Sequence, residues 1–314
     1  MRRIIVPLDG SVLAEQAIPA GAYLAKTLGT SLELVHVIER SVHQDSPEWI
    51  IAPSPAAIRK DLEEVARRYD PGVPVSCNAV TGDPVQRLLR ISERDPQAII
   101  VMATHGRGGV VRALLGSVAD KVVRGASGPV VLVRPACETP KLSTGLDSIL
   151  VTLDGSDFAE RALPQAIELA RSSGSRLHLV RVVESLWTLA YPTSPYDGAA
   201  PDPYVIQELE QGLLADATNY LAAVACRLRA QDVEVTWQVM SGRPVDEIIL
   251  AAVQVSANLI VTTSHGRGGV SRMFQGSVAT GLLSRSPVPL MVVPPAGKEP
   301  RSTLRYEPEL TVML

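Results

Sequence analysis

A glycine-rich segment occurs twice in this chain: Thr104-His105-Gly106-Arg107-Gly108-Gly109-Val110 returns as Ser264-His265-Gly266-Arg267-Gly268-Gly269-Val270. Each copy is followed at the same spacing by Gly-Ser-Val-Ala, from Gly116 to Ala119 and from Gly276 to Ala279. The chemistry such residues can do is phosphate binding. A phosphate needs several amide N–H groups pointing inward; glycine permits the backbone angles and the close approach, and a helix start adds unpaired N–H groups with a favourable dipole. Gly106, Gly109 and Gly116 supply the first, and Ser117, followed by Val118, opens a helical pattern as a cap whose hydroxyl could also face a ligand. Gly266, Gly276, Ser277 and Val278 repeat the arrangement. The plainer alternative is a tight structural turn between a strand and a helix.

Charged residues stand close to this loop in sequence. His105 and His265 could act as acid, base or donor beside phosphate. No serine or cysteine nucleophile with an orienting acid accompanies either, so loop packing or ligand contact is favoured over catalysis. Arg107 and Arg267, with Arg112 and Arg272, could pair with phosphate oxygens through forked hydrogen bonds or stay solvated on a helix face. Asp9 and Asp154 stand in identical Leu-Asp-Gly-Ser contexts, where the carboxylate can serve a ligand, a turn or a helix cap. No G-x-x-x-x-G-K-[ST] lysine loop occurs and no carboxylate pair is placed for magnesium. A phosphate cradle of this kind, with no nucleophile or metal site evident beside it, reads as a binding module with, at most, slow hydrolysis.

The elements that must position these residues are also duplicated. Ile4-Ile5-Val6-Pro7-Leu8-Asp9 returns as Ile149-Leu150-Val151-Thr152-Leu153-Asp154, an offset of 145, whereas the glycine loops are offset by 160. The second copy has therefore gained about 15 residues, and the proline-rich stretch from Tyr191 to Pro203 is the natural place for them. Short apolar, β-branched runs at Ile4 to Leu8, Leu32 to Ile38, Val73 to Val80, Ala98 to Met102 and Val130 to Val133 read as strands. Helical patterns lie between them at Val12 to Leu28, Ala56 to Tyr69, Pro84 to Ser92 and Ser117 to Gly125. Alternating strands and helices, with strands apolar on both faces, predict an α/β chain of two tandem doubly wound domains, each a parallel sheet flanked by helices. Ligands in such sheets bind beyond the carboxyl ends of the strands, where Asp9, Val37 and the loop after Met102 fall. The expected limits are 1–135 for the first domain, 136–147 for the linker, 148–295 for the second domain and 296–314 for the tail.

Composition narrows the partners. With 46% hydrophobic and 20% charged residues the chain is globular, and its net charge of −3 gives no global pull toward nucleic acid or an anionic membrane. Cys77, Cys137 and Cys226 are too few and scattered for a disulfide framework. The apolar run before Asp9 is too short for a signal or spanning segment, so a cytoplasmic location is expected. Trp49 and Trp187 fall in irregular segments, where packing is favoured over a cover for the ligand. His36, His43 and His178 have no counterpart in the other half and read as structural or surface residues.

With these motifs in place, the chain resembles the universal stress protein family in its tandem form. The nucleotide-binding branch of that family carries Gly-x2-Gly-x9-Gly-Ser/Thr, and Gly106, Gly116 and Ser117 reproduce the nine-residue spacing, as do Gly266, Gly276 and Ser277. The resemblance implies five parallel strands per domain in the order 3-2-1-4-5, with ATP across the strand ends. Carried over by position, Pro7 and Asp9 would line the adenosine and Val37 would meet adenine through its backbone. Met102, Ala103, Thr104, His105, Gly106, Arg107 and Gly109, with Gly116, Ser117 and Val118, would hold ribose and phosphates. The second copy offers Asp154, Val182, Thr262, Thr263, Ser264, His265, Gly266, Gly276, Ser277 and Val278. It also implies pairing of the two domains about a pseudo-two-fold axis through their last strands, and dimers of the whole chain.

Two departures matter. The first glycine of the family motif is Ala103 in one copy and Thr263 in the other, and Thr152 replaces Pro7. A β-branched threonine resists positive φ and crowds a ligand that approaches the backbone, so the first domain is expected to be the better nucleotide site. The competing expectation is a nucleotide-free interaction module of the same fold.

Overall fold

The computed structural model describes residues 2–39, 53–104, 115–134, 142, 145–185, 202–264 and 277–294. The first half runs β1 (Arg3–Leu8), α1 (Val12–Glu15), α2 (Ile18–Thr27), β2 (Ser31–Ile38), α3 (Pro55–Tyr69), β3 (Val75–Thr81), α4 (Pro84–Arg94), β4 (Ile99–Ala103), α5 (Ser117–Gly125) and β5 (Val130–Val133). The second half repeats it as β6 (Ser148–Thr152), α6 (Asp157–Glu160), α7 (Leu163–Ser173), β7 (Arg176–Val183), α8 (Pro203–Arg229), β8 (Val235–Ser241), α9 (Pro244–Gln254), β9 (Leu259–Thr263), α10 (Ser277–Arg285) and β10 (Leu290–Val293). The inner strands β4, β5, β6, β9 and β10 are buried along their whole length, as strands covered on both faces must be. Edge strand β3 instead alternates half-buried and exposed positions over Val75 to Asn78.

All ten strands form one sheet in the order β3-β2-β1-β4-β5-β10-β9-β6-β7-β8. Neighbours are parallel within each half; β5 and β10, which join the halves, are antiparallel. Their register sets Val131 opposite Met291, two residues in the same place in the two copies, with Leu132 and Val130 opposite Leu290 and Val292. The carboxyl ends of the first five strands therefore lie along one edge of the sheet, and those of the second five along the opposite edge. One apolar cluster takes in Ile4, Val6, Leu24, Leu62, Ile149, Val151, Leu169 and Leu221, so α2, α3, α7 and α8 share one sheet face. The other cluster takes in Ile5, Leu88, Val122, Leu150, Ile248 and Leu282, covering the opposite face with α4, α5, α9 and α10. A further inter-half tie is Arg2, which pairs with Glu168 and Gln165 on α7.

Two sequence expectations need correction. The pattern from Val12 to Leu28 is two helices, because Pro19 has no N–H to donate to Glu15 and its ring crowds that carbonyl; α2 starts afresh with the proline in its first turn. Pro164 splits α6 from α7 in the same way. The insertion in the second copy is mostly helix and not loop: α8 has 27 residues where α3 has 15. Pro203, assigned by sequence to the proline-rich stretch, opens α8 behind the cap Asp202, whose Oδ1 accepts from Tyr204 N at 2.9 Å.

Candidate functional site

Each half gathers its candidate residues at the carboxyl edge of its inner strands. In the first half the chain leaves β1 through Asp9, Gly10 and Ser11. Gly10 has φ 81°, a left-handed turn that favours glycine, and Asp9 Oδ1 accepts from Ser11 N at 2.9 Å. Ser11 rather than Asp9 is the helix cap: its Oγ accepts from Ala14 N at 3.1 Å, while Asp9 braces the turn. The second half repeats this with Gly155 at φ 86°, Ser156 N on Asp154 Oδ1 at 2.9 Å and Ala159 N on Ser156 Oγ at 3.2 Å. There the Ser156 hydroxyl also donates to Asp154 Oδ1 at 2.6 Å.

Alternation along β1, β2 and β4 turns Pro7, Val37 and Met102 to the sheet face covered by α4 and α5; Val37, Met102 and Val118 pack in that cluster. The ends of the glycine loop are fixed by hydrogen bonds. Thr104 N donates to Val133 O at 2.9 Å, and Gly116 N donates to Thr104 O at 2.7 Å. Gly116 is the N-cap of α5, so Ser117 is the first helical residue and not the cap; Gly116 has no side chain to cover the N–H groups that start the helix. Val37, Met102 and Val118 thus share one cluster, Ala103 and Thr104 lead from β4 to the Gly116–Ser117 start of α5, and Pro7 and Asp9 lie at the carboxyl end of β1, which pairs with both β2 and β4. His105, Gly106, Arg107 and Gly109 lie outside the described residues, as do His265, Gly266, Gly276, Trp49 and Trp187.

The two sites differ beneath the loop. Where the first half has Pro7 and Met102, the second has Thr152 and Thr262, and the Thr152 hydroxyl donates to the Thr262 hydroxyl at 2.8 Å in a buried pair. Thr263 is also buried, so three hydroxyls stand where the first half has Pro7, Met102 and Ala103, while buried Ser264 matches buried Thr104; Ser264 N meets Val293 O at 3.2 Å. One sequence argument fails here. Ala103 and Thr263 are the last paired residues of β4 and β9, opposite Val133 and Val293, and neither has positive φ. This position asks for no glycine-like backbone, and only the bulk of the threonine separates the two copies.

A buried arginine was not singled out by sequence reasoning. Arg181 near the end of β7 is 7% exposed and lies 5.2 Å from the Tyr220 ring of α8. Burial pushes the Tyr220 hydroxyl well above its ordinary value, and the Glu160 and Asp154 carboxylates add to the rise. His36 holds the corresponding place in β2, so the copy comparison was the available signal: a position that is His in one half and Arg in the other beside a shared aspartate. Val182 packs on the α9 face, as Val37 does on the α4 face, and Val278 joins the same cluster. Among the described residues no three His, Cys, Asp or Glu side chains gather where an ion could be held.

The comparisons with known proteins agree with this architecture. The universal stress protein family profile matches residues 1–134 and 145–294. Universal stress protein Rv2005c of Mycobacterium tuberculosis is 28% identical over 306 residues, covering 92% of this chain and 96% of its own. A universal stress protein of Mycolicibacterium smegmatis is 29% identical over 307 residues, covering 93% and 97%. The crystal structure of a universal stress protein from Archaeoglobus fulgidus superimposes with a TM-score of 0.71 at 25% identity, covering 94% of this chain and 98% of its own. With one family domain in each half and both halves in one sheet, the chain belongs to the universal stress protein family.

Proposed function

We propose that this protein is a non-enzymatic stress-response or signalling module whose first half binds ATP. The observation that supports the reading is that Pro7, Val37, Met102 and Asp9 lie at the carboxyl ends of neighbouring strands, with the start of α5 tied to the end of β4 by Gly116 N on Thr104 O at 2.7 Å. The apolar floor suits an adenosine, Asp9 suits its hydroxyls, and the side-chain-free helix start suits phosphate. His105 has no serine or cysteine nucleophile with an orienting acid beside it in sequence, so slow hydrolysis is the most it would do. Magnesium, where present, would arrive with the triphosphate. The chain would work in the cytoplasm. A dimer of whole chains would need a surface other than β5 and β10, which are already paired with each other.

Calorimetric titration of the full chain with ATP tests the reading. One nucleotide per chain is expected, with Asp9→Ala weakening it at least tenfold, about 1.4 kcal/mol. Protein that melts at the same temperature in millimolar ATP as without it would overturn the proposal. For the second half a nucleotide-free interaction role is favoured by the Thr152–Thr262 pair, which puts satisfied hydroxyls where the first half offers apolar contact. Two equal sites in the same titration would refute that division.

A further inference from the structure

The second copy departs from the first most strongly at the start of α8. α3 and α8 end at corresponding places, five residues before β3 and β8, so the twelve extra residues, 203–214, are three added turns at the amino end. Those turns carry an apolar stripe in solvent: Val205, Leu209 (57% exposed) and Leu213 at four-residue spacing, with Tyr204 (82% exposed) beside it. Isolated exposed leucines are ordinary, but a stripe confined to an insertion that the fold does not need marks a contact surface. Its flanks hold Asp202, Glu208, Glu210 and Asp216 and, from 202 to 226, no lysine or arginine.

We propose that the stripe is the docking site of this chain's own carboxyl-terminal segment, Leu304 to Leu314. That segment is apolar at Leu304, Tyr306, Leu310, Val312, Met313 and Leu314, and from 298 to 314 the three basic side chains Lys298, Arg301 and Arg305 are balanced by Glu299, Glu307 and Glu309, so the tail brings no net side-chain charge to the acidic flank. It leaves from the correct edge: β10 is parallel to β9, β6 and β7, so the chain exits β10 at the same carboxyl edge past which the added turns of α8 project. To reach the stripe it must cross three strand spacings, about 14 Å, and climb up to about 18 Å along the helix. The eleven residues from 294 to 304 span up to about 36 Å when extended. Two other occupants fit less well. A second copy would bring an acidic flank against an acidic flank. The connection from β7 to α8 is only three residues longer than that from β2 to α3, 19 against 16, although the added turns move its far end outward by about 18 Å, so it has little chain to spare. Tethering also gives the tail a millimolar effective concentration that a free partner lacks.

Hydrogen exchange of the full-length protein tests this at two protein concentrations a hundredfold apart. Amides of residues 203–216 should exchange at a rate independent of concentration, and at least tenfold faster once 296–314 are removed. Leu209→Asp in the intact chain should give the same acceleration, with no further change when it is combined with the truncation, while exchange in the β-sheet stays constant. Unchanged exchange after truncation would overturn the proposal in favour of coverage by another part of the chain or none. Protection that appears only at the higher concentration would overturn it in favour of a second copy.

Discussion

At the level of single residues, the two cradles are separated by a few substitutions in otherwise matching backbone. Pro7 and Met102 give one floor apolar contact, while Thr152 and Thr262 give the other a closed hydroxyl pair at 2.8 Å. Thr152→Pro, Thr262→Met and Thr263→Ala together should therefore raise the ATP stoichiometry of the full chain from one toward two, read by calorimetry; a stoichiometry that stays at one would show that the difference lies elsewhere. These substitutions were legible because the duplication supplies its own comparison. The backbone at Ala103 and Thr263 was not: a glycine in a motif suggests positive φ, but here the position is the last pair of a strand, and strand pairing sets its angles. His178 makes a separate prediction. Burial first, and then the Arg176 charge, hold its imidazole below the ordinary 6.5, against an opposing pull from Glu234. The unfolded chain then binds the proton more readily, so this part of the stability is complete above pH 6.5 and is lost as the pH falls from 6.5 through the lower folded value. His178→Gln should lose less melting temperature than the parent between pH 7.5 and 5.5.

At the level of elements, boundaries depend on groups that a hydrophobic pattern does not register. Pro19 sits inside an apolar repeat that reads as one helix, yet it costs a backbone donor and divides the helix, as Pro164 does in the second half. The length of α8 was hidden by the prolines before it, although Pro203 is well suited to a first helical position and marks its start. A hidden hydroxyl fixes the joint between α5 and β5. Ser92 of α4, 1% exposed, accepts from Ser127 N at 2.7 Å and Gly128 N at 2.9 Å. Ser92→Ala would leave both donors unpaired and should destabilise the protein by about 1–3 kcal/mol in urea unfolding. Gly128 is held there by contact, since a Cβ would come within 2.8 Å of the Pro96 and Ala98 carbonyl oxygens. Nothing in the pattern of apolar residues announces that joint, because its partners are 35 and 36 residues apart.

At the level of the whole molecule, the halves share one ten-stranded sheet and a common core on each face. The repeat made two domains legible, and the apolar β5 and β10 were visible as edges to be covered. The antiparallel register about Val131 and Met291 depends on both edges being present at once, which no single segment encodes. Because this seam is buried, unfolding should be one cooperative transition by calorimetry. Leu132→Pro removes an N–H that faces β10, since the groups of Pro129 and Val133 are turned to β4, and should divide the transition in two; a single transition in that variant would mean that the helices alone couple the halves. The reversal of direction at the seam has a consequence of its own. The cradles face away from each other at opposite ends of the strands, so no small ligand can bridge them, and whatever each holds is kept apart by the body of the protein. Should each half hold a ligand or a partner, the chain would act as a spacer between the two.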